Sequence, residues 1–338
     1  MYTLKQIPED FIVNERSSVN IKISGKYLYY TLIKKNKNTL DVIQKLSQLL
    51  HLPEKNIGFA GSKDKNAVTE QVISIVGASQ AKISNLMLND IQLQFLGSGD
   101  TPISLGDLQG NSFEIIIRNL EKEKISKIQY FPNYFDEQRF GSNNAGIGKH
   151  LITKEFSEAL SLINNDQSNH HLQQHSHDFI GALKLLPIRL LRMYVNAYQS
   201  FLWNETLAQY LQKHGKVVKE VPYSLGKFIF IRDEEKFINL KIPLLGFGSE
   251  EMESAEVKKI IWELMKKDSI TYNDFIIKQI PELALQGELR NAFVEVKDSV
   301  IGKTEEDDLN AGKKKIRVSF FLPKGSYATM LIRRAINE

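Results

Sequence analysis

Along the first third of the chain, apolar residues alternate with polar ones in short runs, the spacing of strands that bury one face. D-F-I-V-N-E (10–15), V-N-I-K-I-S (19–24) and K-Y-L-Y-Y-T-L-I-K-K (26–35) read as strands, the last two joined by a Ser24-Gly25 turn. A helical period follows, placing Leu40, Ile43, Leu46 and Leu50 on one face. Asn38 and Thr39 stand where side-chain oxygens cap a helix, and Pro53 marks its end. V-I-S-I-V (72–76), I-Q-L-Q-F-L (91–96) and S-F-E-I-I-I-R (112–118) are further strands.

After Gly141 the period turns helical. Residues 183–214 are apolar at helical spacing, with Pro187 in the first turns or at a break, and a second helix is predicted from Glu253 to Lys267. Between them V-P-Y-S-L-G-K-F-I-F-I-R (221–232) reads as a small strand pair. E-E-D-D-L-N-A-G-K-K-K (305–315) reads as an exposed polar loop, followed by a strand, I-R-V-S-F-F, and a final helix, Y-A-T-M-L-I-R-R-A-I. That last pair is too short to build its own core, so it is expected to rejoin the first α/β unit. The predicted organisation is a discontinuous domain of residues 1–140 and 305–338, interrupted by 141–304.

Charge follows the same division. Residues 1–140 and 311–338 carry 24 basic and 16 acidic side chains, and residues 141–310 carry 20 and 24. A basic surface concentrates polyanions such as nucleic acid. The chain has no cysteine, which excludes thiolate chemistry and cysteine-based zinc sites. No apolar leader or spanning run occurs, so a cytoplasmic, membrane-free protein is expected.

G-F-A-G-S-K-D-K-N-A-V-T-E-Q (58–71) sets one carboxylate, Asp64, between Lys63 and Lys65. It is not a P-loop: Ser62 precedes the lysine, and Asp64 follows where a hydroxyl should reach the metal. The histidine-rich run N-H-H-L-Q-Q-H-S-H-D (169–178) lacks the helical pairing with a general base of H-E-x-x-H and reads as a polar loop, not a metal site. Aromatics beside amides and arginines recur in G-N-S-F (110–113), P-N-Y-F-D-E-Q-R-F-G (132–141) and S-F-F-L-P-K-G-S-Y-A-T (319–329). Such groups stack and hydrogen-bond an unstacked base, although any one phenylalanine is more often plain core.

Taken together, G-S-K-D-K-N-A-V-T-E-Q, L-K-Q-I-P-E-D-F-I-V (4–13), G-N-S-F, N-Y-F-D-E-Q-R-F-G, A-Y-Q-S-F-L-W-N (197–204) and F-F-L-P-K-G-S-Y-A-T-M resemble, in order, the motifs of the TruD family of tRNA pseudouridine synthases. The resemblance implies an α/β (α+β) fold: a pseudouridine-synthase core with a mixed or antiparallel sheet, plus an inserted, largely helical TruD-specific domain and an RNA cleft between the parts. It implies isomerisation of uridine to pseudouridine in tRNA, with uridine-13 the expected target, and no cofactor, since no electrons enter and no group leaves. Asp64 matches the catalytic aspartate, Lys5 its basic partner, and Asn111, Phe113, Phe11 and Phe320 the residues lining the uridine pocket. Gln138 and Arg139 match Q-R-F-G. Two positions depart from the pattern: Asp136 replaces a usual glycine, and Arg334 stands where Arg-Glu is usual.

An ammonium about 4 Å from a carboxylate gives roughly 4 kcal/mol of gross attraction at an effective dielectric near 20, which would keep Asp64 ionised under bound RNA. Lys5 is expected to supply it. Lys63 and Lys65 are expected to face phosphates, as are the flanks Lys34, Lys35, Lys37 and Lys313 to Lys315, for which solvated loop tips are the competing reading. Two other classes remain open: an RNA-binding, tRNA-folding chaperone with secondary chemistry, and a hydrolase using a metal at the histidine run. No obligatory protein partner is evident.

Overall fold

The computed structural model describes residues 2–121, 125–250 and 254–336. Two compact units emerge: Met1–Gln129, Glu295–Ala328 and Ala335–Glu338 form the first, Tyr130–Val294 and Thr329–Arg334 the second.

The first unit opens with β1 (Phe11–Ser17), β2 (Tyr27–Lys35), α1 (Thr39–Leu50), β3 (Ile57–Phe59), β4 (Val68–Ile75), α2 (Gln80–Ser84), β5 (Ile91–Gly99) and β6 (Leu108–Leu120). The second holds β7 (Tyr130–Pro132), α3 (Asn144–Ile152), α4 (Phe156–Ile163), α5 (Asp166–Gln174), α6 (Phe179–Lys184), α7 (Ile188–His214), β8 (Val217–Tyr223), β9 (Gly226–Ile231), β10 (Lys241–Leu244), α8 (Ala255–Asp268), β11 (Glu288–Asn291) and β12 (Phe293–Glu295). The chain then returns through β13 (Lys297–Glu306) and β14 (Lys314–Pro323) to α9 (Ala328–Ala335). The fold is the mixed α/β class expected, with most helices in the second unit.

The first unit is built on a sheet ordered β13-β14-β6-β1-β4-β2-β5, with β3 paired to β4. β1 and β4 are parallel, and the other pairs in this sheet are antiparallel. This parallel pair brings the N-terminal ends of β1 and β4 to one edge. Residues just before β1 therefore lie beside the eight-residue connection from β3 to β4, which carries Asp64. Strand registers align Lys34, Thr69, Val13, Phe113 and Phe320 in one row across β2, β4, β1, β6 and β14. Paired residues in a sheet share a face, so all five side chains belong to the same side.

Over one half of that face, α1 packs Val42, Ile43, Leu46 and Leu50 against Tyr30, Leu32, Ile73 and Ile75. Each such buried aliphatic contributes about 1.5–3 kcal/mol. Leu40, expected inward, is 38 % exposed, and Thr39 holds the inward position. Asn38 is the N-cap residue but makes no side-chain cap; its amide donates to Asp41 Oδ2 at 3.0 Å. α1 ends at His51, whose φ of 55° is left-handed, two residues before Pro53.

Several expectations change. Residues 19–24 form no named strand, only a bridge between Lys22 and Ser98. Glu305 and Glu306, read as loop, end β13, an edge strand with little apolar surface. Asp307, read as exposed, is buried against Arg118. His170 and His171 lie in a helix, α5, rather than a loop. Pro187 is the N-cap of α7, and α8 replaces the helix read from Glu253, a residue outside the described ones. Within the final helix, Thr329–Arg334 group with the second unit.

Candidate active site

Asp64 sits in the β3–β4 connection with its side chain 32 % exposed, and Lys5 Nζ lies 3.2 Å from its Oδ1. Two anchors hold Lys5 there. Thr3 pairs with Arg118 of β6 through two backbone hydrogen bonds, and Ile7 N donates to Asp10 Oδ2 at 3.1 Å. Between them Lys5 takes φ = 56°, a left-handed conformation that costs a non-glycine residue about 1–2 kcal/mol. Asp10 in turn accepts both Arg118 Nε contacts, at 2.8 and 2.9 Å, and Arg118 also donates to Asp307. Burial opposes ionisation of Asp307, but hydrogen bonds from Asn119, Asn310, Leu309 and Arg118 hold it down to about 2.

The Lys5 ammonium also lies 4.1 Å from the centroid of Phe11. Phe11 meets Phe113 edge-on at 6.0 Å, and Phe113 meets Phe320 at 5.5 Å and 30°. Carboxylate, ammonium and three rings thus form one continuous chain of contacts. Phe11 is 1 % exposed and covered by Lys5, so its part is to carry the ammonium through a cation–π contact, not to stack a base. Phe113, at 8 %, and Phe320 keep only a rim at the surface. Gly110 of G-N-S-F is demanded by packing: a Cβ there would lie 2.2 Å from the Leu322 carbonyl oxygen. Gly61 is different, with no positive φ and nothing within 4 Å of a Cβ, so the fold itself does not require it.

The lysines divide sharply. Lys63 does not face solvent: its side chain is 6 % exposed, its Nζ lies 2.5 Å from Glu15 Oε2, and it donates to Asn111 Oδ1 at 2.9 Å. The reason is Glu15, a fully buried carboxylate on β1 that also accepts from Val72 N, and a buried charge needs a counter-charge. Lys34 is likewise no phosphate contact. It is fully buried, and its Nζ donates to the carbonyl oxygens of Lys37, at 2.7 Å, and of Asp64, at 2.8 Å. Lys35 and Lys37 pair with Glu9 and Asp90, and Lys313, Lys314 and Lys315 with Glu121, Glu306 and Asp308, which satisfies these flanks locally. Lys65 is exposed and borders a cavity of about 290 Å³ also lined by Lys37, Lys45, Asn38 and Asp41.

Further bonds set the loop's backbone. Thr39 Oγ1 accepts from Lys63 N at 3.0 Å and donates to Gln71 Oε1, and Gln71 Nε2 donates to the Gly61 carbonyl at 3.0 Å. Asn36 N donates to the Ala67 carbonyl. Sequence reasoning missed Thr39, Gln71 and Glu15 as parts of the site and put Lys34 at the surface instead of under the Asp64 loop. Alternation along β2 would have extended the inward row Leu28, Tyr30, Leu32 to Lys34.

Gln138 and Arg139 lie in the second unit, on a 3-10 turn of Glu137–Arg139. Gln138 is exposed; Arg139 Nε donates to Ser200 Oγ at 3.4 Å, and its guanidinium lies 5.7 Å from the Phe135 ring. A-Y-Q-S-F-L-W-N proves to be scaffold: Asn204 exchanges two hydrogen bonds with the Phe135 backbone, and Trp203 Nε1 donates to the Ile242 carbonyl. Asp136 has φ = −74°, so glycine is not needed there; it caps Glu137 N and accepts from Thr329. Arg334 finds its carboxylate in Glu234, 2.7 Å away. His171 pairs with Asp178 at 2.8 Å, and among the described residues no three His, Asp or Glu side chains are grouped to hold a metal. No helix among them is long and apolar enough to cross a membrane.

The family model described as tRNA pseudouridine synthase D (TruD) matches residues 2–169 and 160–335. A Methanocaldococcus jannaschii protein assigned as a probable tRNA pseudouridine synthase D 2 is 34 % identical, covering 98 % of this chain and 91 % of its own. The tRNA pseudouridine synthase D of Aquifex aeolicus is 29 % identical over 98 % of this chain and 97 % of its own. A crystal structure from Methanosarcina mazei, titled as a TruD protein, superposes with a TM-score of 0.69 at 28 % identity, covering 98 % and 92 % of the two chains. The chain belongs to the tRNA pseudouridine synthase D (TruD) family.

Proposed function

We propose that this protein isomerises uridine to pseudouridine in tRNA, at position 13, and that Asp64 is the catalytic carboxylate. The observation that carries this is the pairing of a one-third exposed Asp64 with Lys5, 3.2 Å away, beside the Phe11–Phe113–Phe320 cluster. The reaction breaks the C1′–N1 bond, turns the uracil and joins C1′ to C5; C5 then gives up its proton and N1 takes one. Asp64 serves at the sugar, as nucleophile at C1′ or as base at C2′, and Lys5 stands beside it as its counter-charge. The target uridine must leave its stack, and Phe113 and Phe320 wall the space that receives it. Asn111, already bonded to Lys63, supplies a polar contact to the base. Lys65 and the cavity beside it receive backbone phosphates, and Gln138 and Arg139 are further residues for RNA contact. The first unit is then the catalytic domain and the second the inserted TruD-specific domain.

The test is pseudouridine mapping in RNA from cells with and without the gene, complemented with wild type or Asp64→Ala. Loss of pseudouridine at tRNA position 13 on deletion, rescue by wild type and no rescue by the variant are expected. Survival of every site after deletion would overturn the enzyme reading, and rescue by Asp64→Ala would overturn the assignment of Asp64.

A further inference from the structure

Lys34 is a lysine with nowhere ordinary to put its charge. Its side chain is fully buried on the α1-facing side of the sheet, and no carboxylate lies within ion-pair distance of it among the described residues. Its two hydrogen-bond acceptors are main-chain carbonyls from separate segments, Lys37 in the β2–α1 turn and Asp64 itself. An unpaired buried ammonium is expensive, so its retention calls for a purpose beyond packing. A methionine would fill the same space without the charge.

We propose that Lys34 is the positioning residue of the Asp64 loop: its ammonium binds the Lys37 and Asp64 carbonyls at once, and this clasp sets the backbone from which the Asp64 carboxylate reaches Lys5. The clasp acts at the reacting residue's own peptide group. The other ties reach Gly61, Lys63 and Ala67, so among the described residues the donor to the Asp64 carbonyl is Lys34. Charge matters because hydrogen bonds from an ammonium are about twice as strong as those from a neutral amine.

The surroundings make this clasp sensitive to pH. Thr69 of β4 and Ile91 of β5 stand opposite Lys34, and neither carries charge. The charged groups that act on it are Asp64 and Lys63, while Lys35 and Lys37 are paired with Glu9 and Asp90. Burial pushes the Lys34 ammonium down to about 8, with Asp64 opposing and Lys63 adding. Above that pH the amine keeps two N–H donors but loses charge, and the clasp loosens.

This role rests on the proposed reaction, so the experiment pairs a catalytic readout with one independent of catalysis. Single-turnover pseudouridine formation on tRNA is measured from about pH 6.5 to about 9.5, spanning the Lys34 titration, for wild type, Lys34→Met and Lys34→Arg. Wild type should slow above about pH 8. Lys34→Met should be slowed about 10- to 100-fold near neutral pH, as an Å-scale misplacement of a reacting group does, with tRNA affinity within about twofold. Lys34→Arg, charged throughout, should not show the fall above about pH 8. Amide exchange at Lys63–Ala67 should be about tenfold faster in Lys34→Met, with β4 amides unchanged, the signature of local opening. Should Lys34→Met fail to fold, the wild-type and Lys34→Arg profiles decide. A wild-type rate that stays level across the whole pH range, or unchanged rates and loop exchange in Lys34→Met, overturns the proposal. A wild type that makes no pseudouridine overturns the reaction instead, and the exchange measurement still tests the clasp.

Discussion

Lys63 and Glu15 form a closed pair, 2.5 Å apart and shut off from solvent, while Asp64, the next residue, turns outward to Lys5. The K-D-K triplet is therefore not one charge cluster. Its first lysine belongs to the core, its aspartate to the site and its last lysine to the surface.

Stability should separate the two lysines. Lys63→Ala leaves Glu15 buried without its counter-charge, a change that costs about 3–5 kcal/mol. Lys65→Ala removes an exposed side chain and should stay within about 0.5 kcal/mol of wild type. Urea unfolding followed by circular dichroism measures both; equal effects would contradict the inward assignment of Lys63.

Lys65 and Lys45 should instead govern RNA affinity. Replacing either by Ala should weaken tRNA binding uniformly across sequences and reduce the salt slope by about 1 for each phosphate left without its cation. Filter binding between about 50 mM and about 200 mM salt, the range over which such electrostatic binding falls steeply, checks this.

Two groups with lowered values should each make stability rise with pH, in separate windows. Lys34 has its folded value lowered from 10.5 to about 8, so between these values the unfolded chain holds more protons and stability rises with pH. Lys34→Met should remove that rise. Wild type would thus gain stability over the range in which it loses rate, a divergence a merely structural lysine would not produce. Asp307 is lowered from 3.8 to about 2, so its contribution is complete above 3.8 and lost as pH falls through about 2. Asp307→Asn should flatten that acid limb in melting experiments.

Gly61→Ala should leave the melting temperature unchanged, since the backbone is permissive and the space around it open. Any loss of activity in that variant reports close approach of the RNA. A large loss of stability would contradict the local geometry.

Much of the sheet was legible because alternation is a local signal. β1, β2, β4, β5 and β6 follow from their apolar spacing, and α1 from its helical period. β13 escaped notice because an edge strand with little apolar surface shows no such spacing. The pairing of Lys5 with Asp64 came from resemblance to family motifs; nothing local to either residue carries it. Its physical cause is the parallel pairing of β1 and β4, a long-range event that brings the segments before both strands together. Lys34 and Lys63 were misassigned for the same reason. A lysine's type says surface, and only the register of its strand or the carboxylate it meets turns it inward.

The proposed mechanism has Asp64, held by Lys5, carry out the isomerisation. Its most direct test is single-turnover conversion of unmodified tRNA by purified protein, read at each uridine, for wild type, Asp64→Asn and Lys5→Met. Wild type should convert uridine-13; Asp64→Asn should lose at least about 10²–10⁴ in rate, the span that a positioned acid–base group contributes, while tRNA affinity holds. Conversion by Asp64→Asn at the wild-type rate would contradict the account.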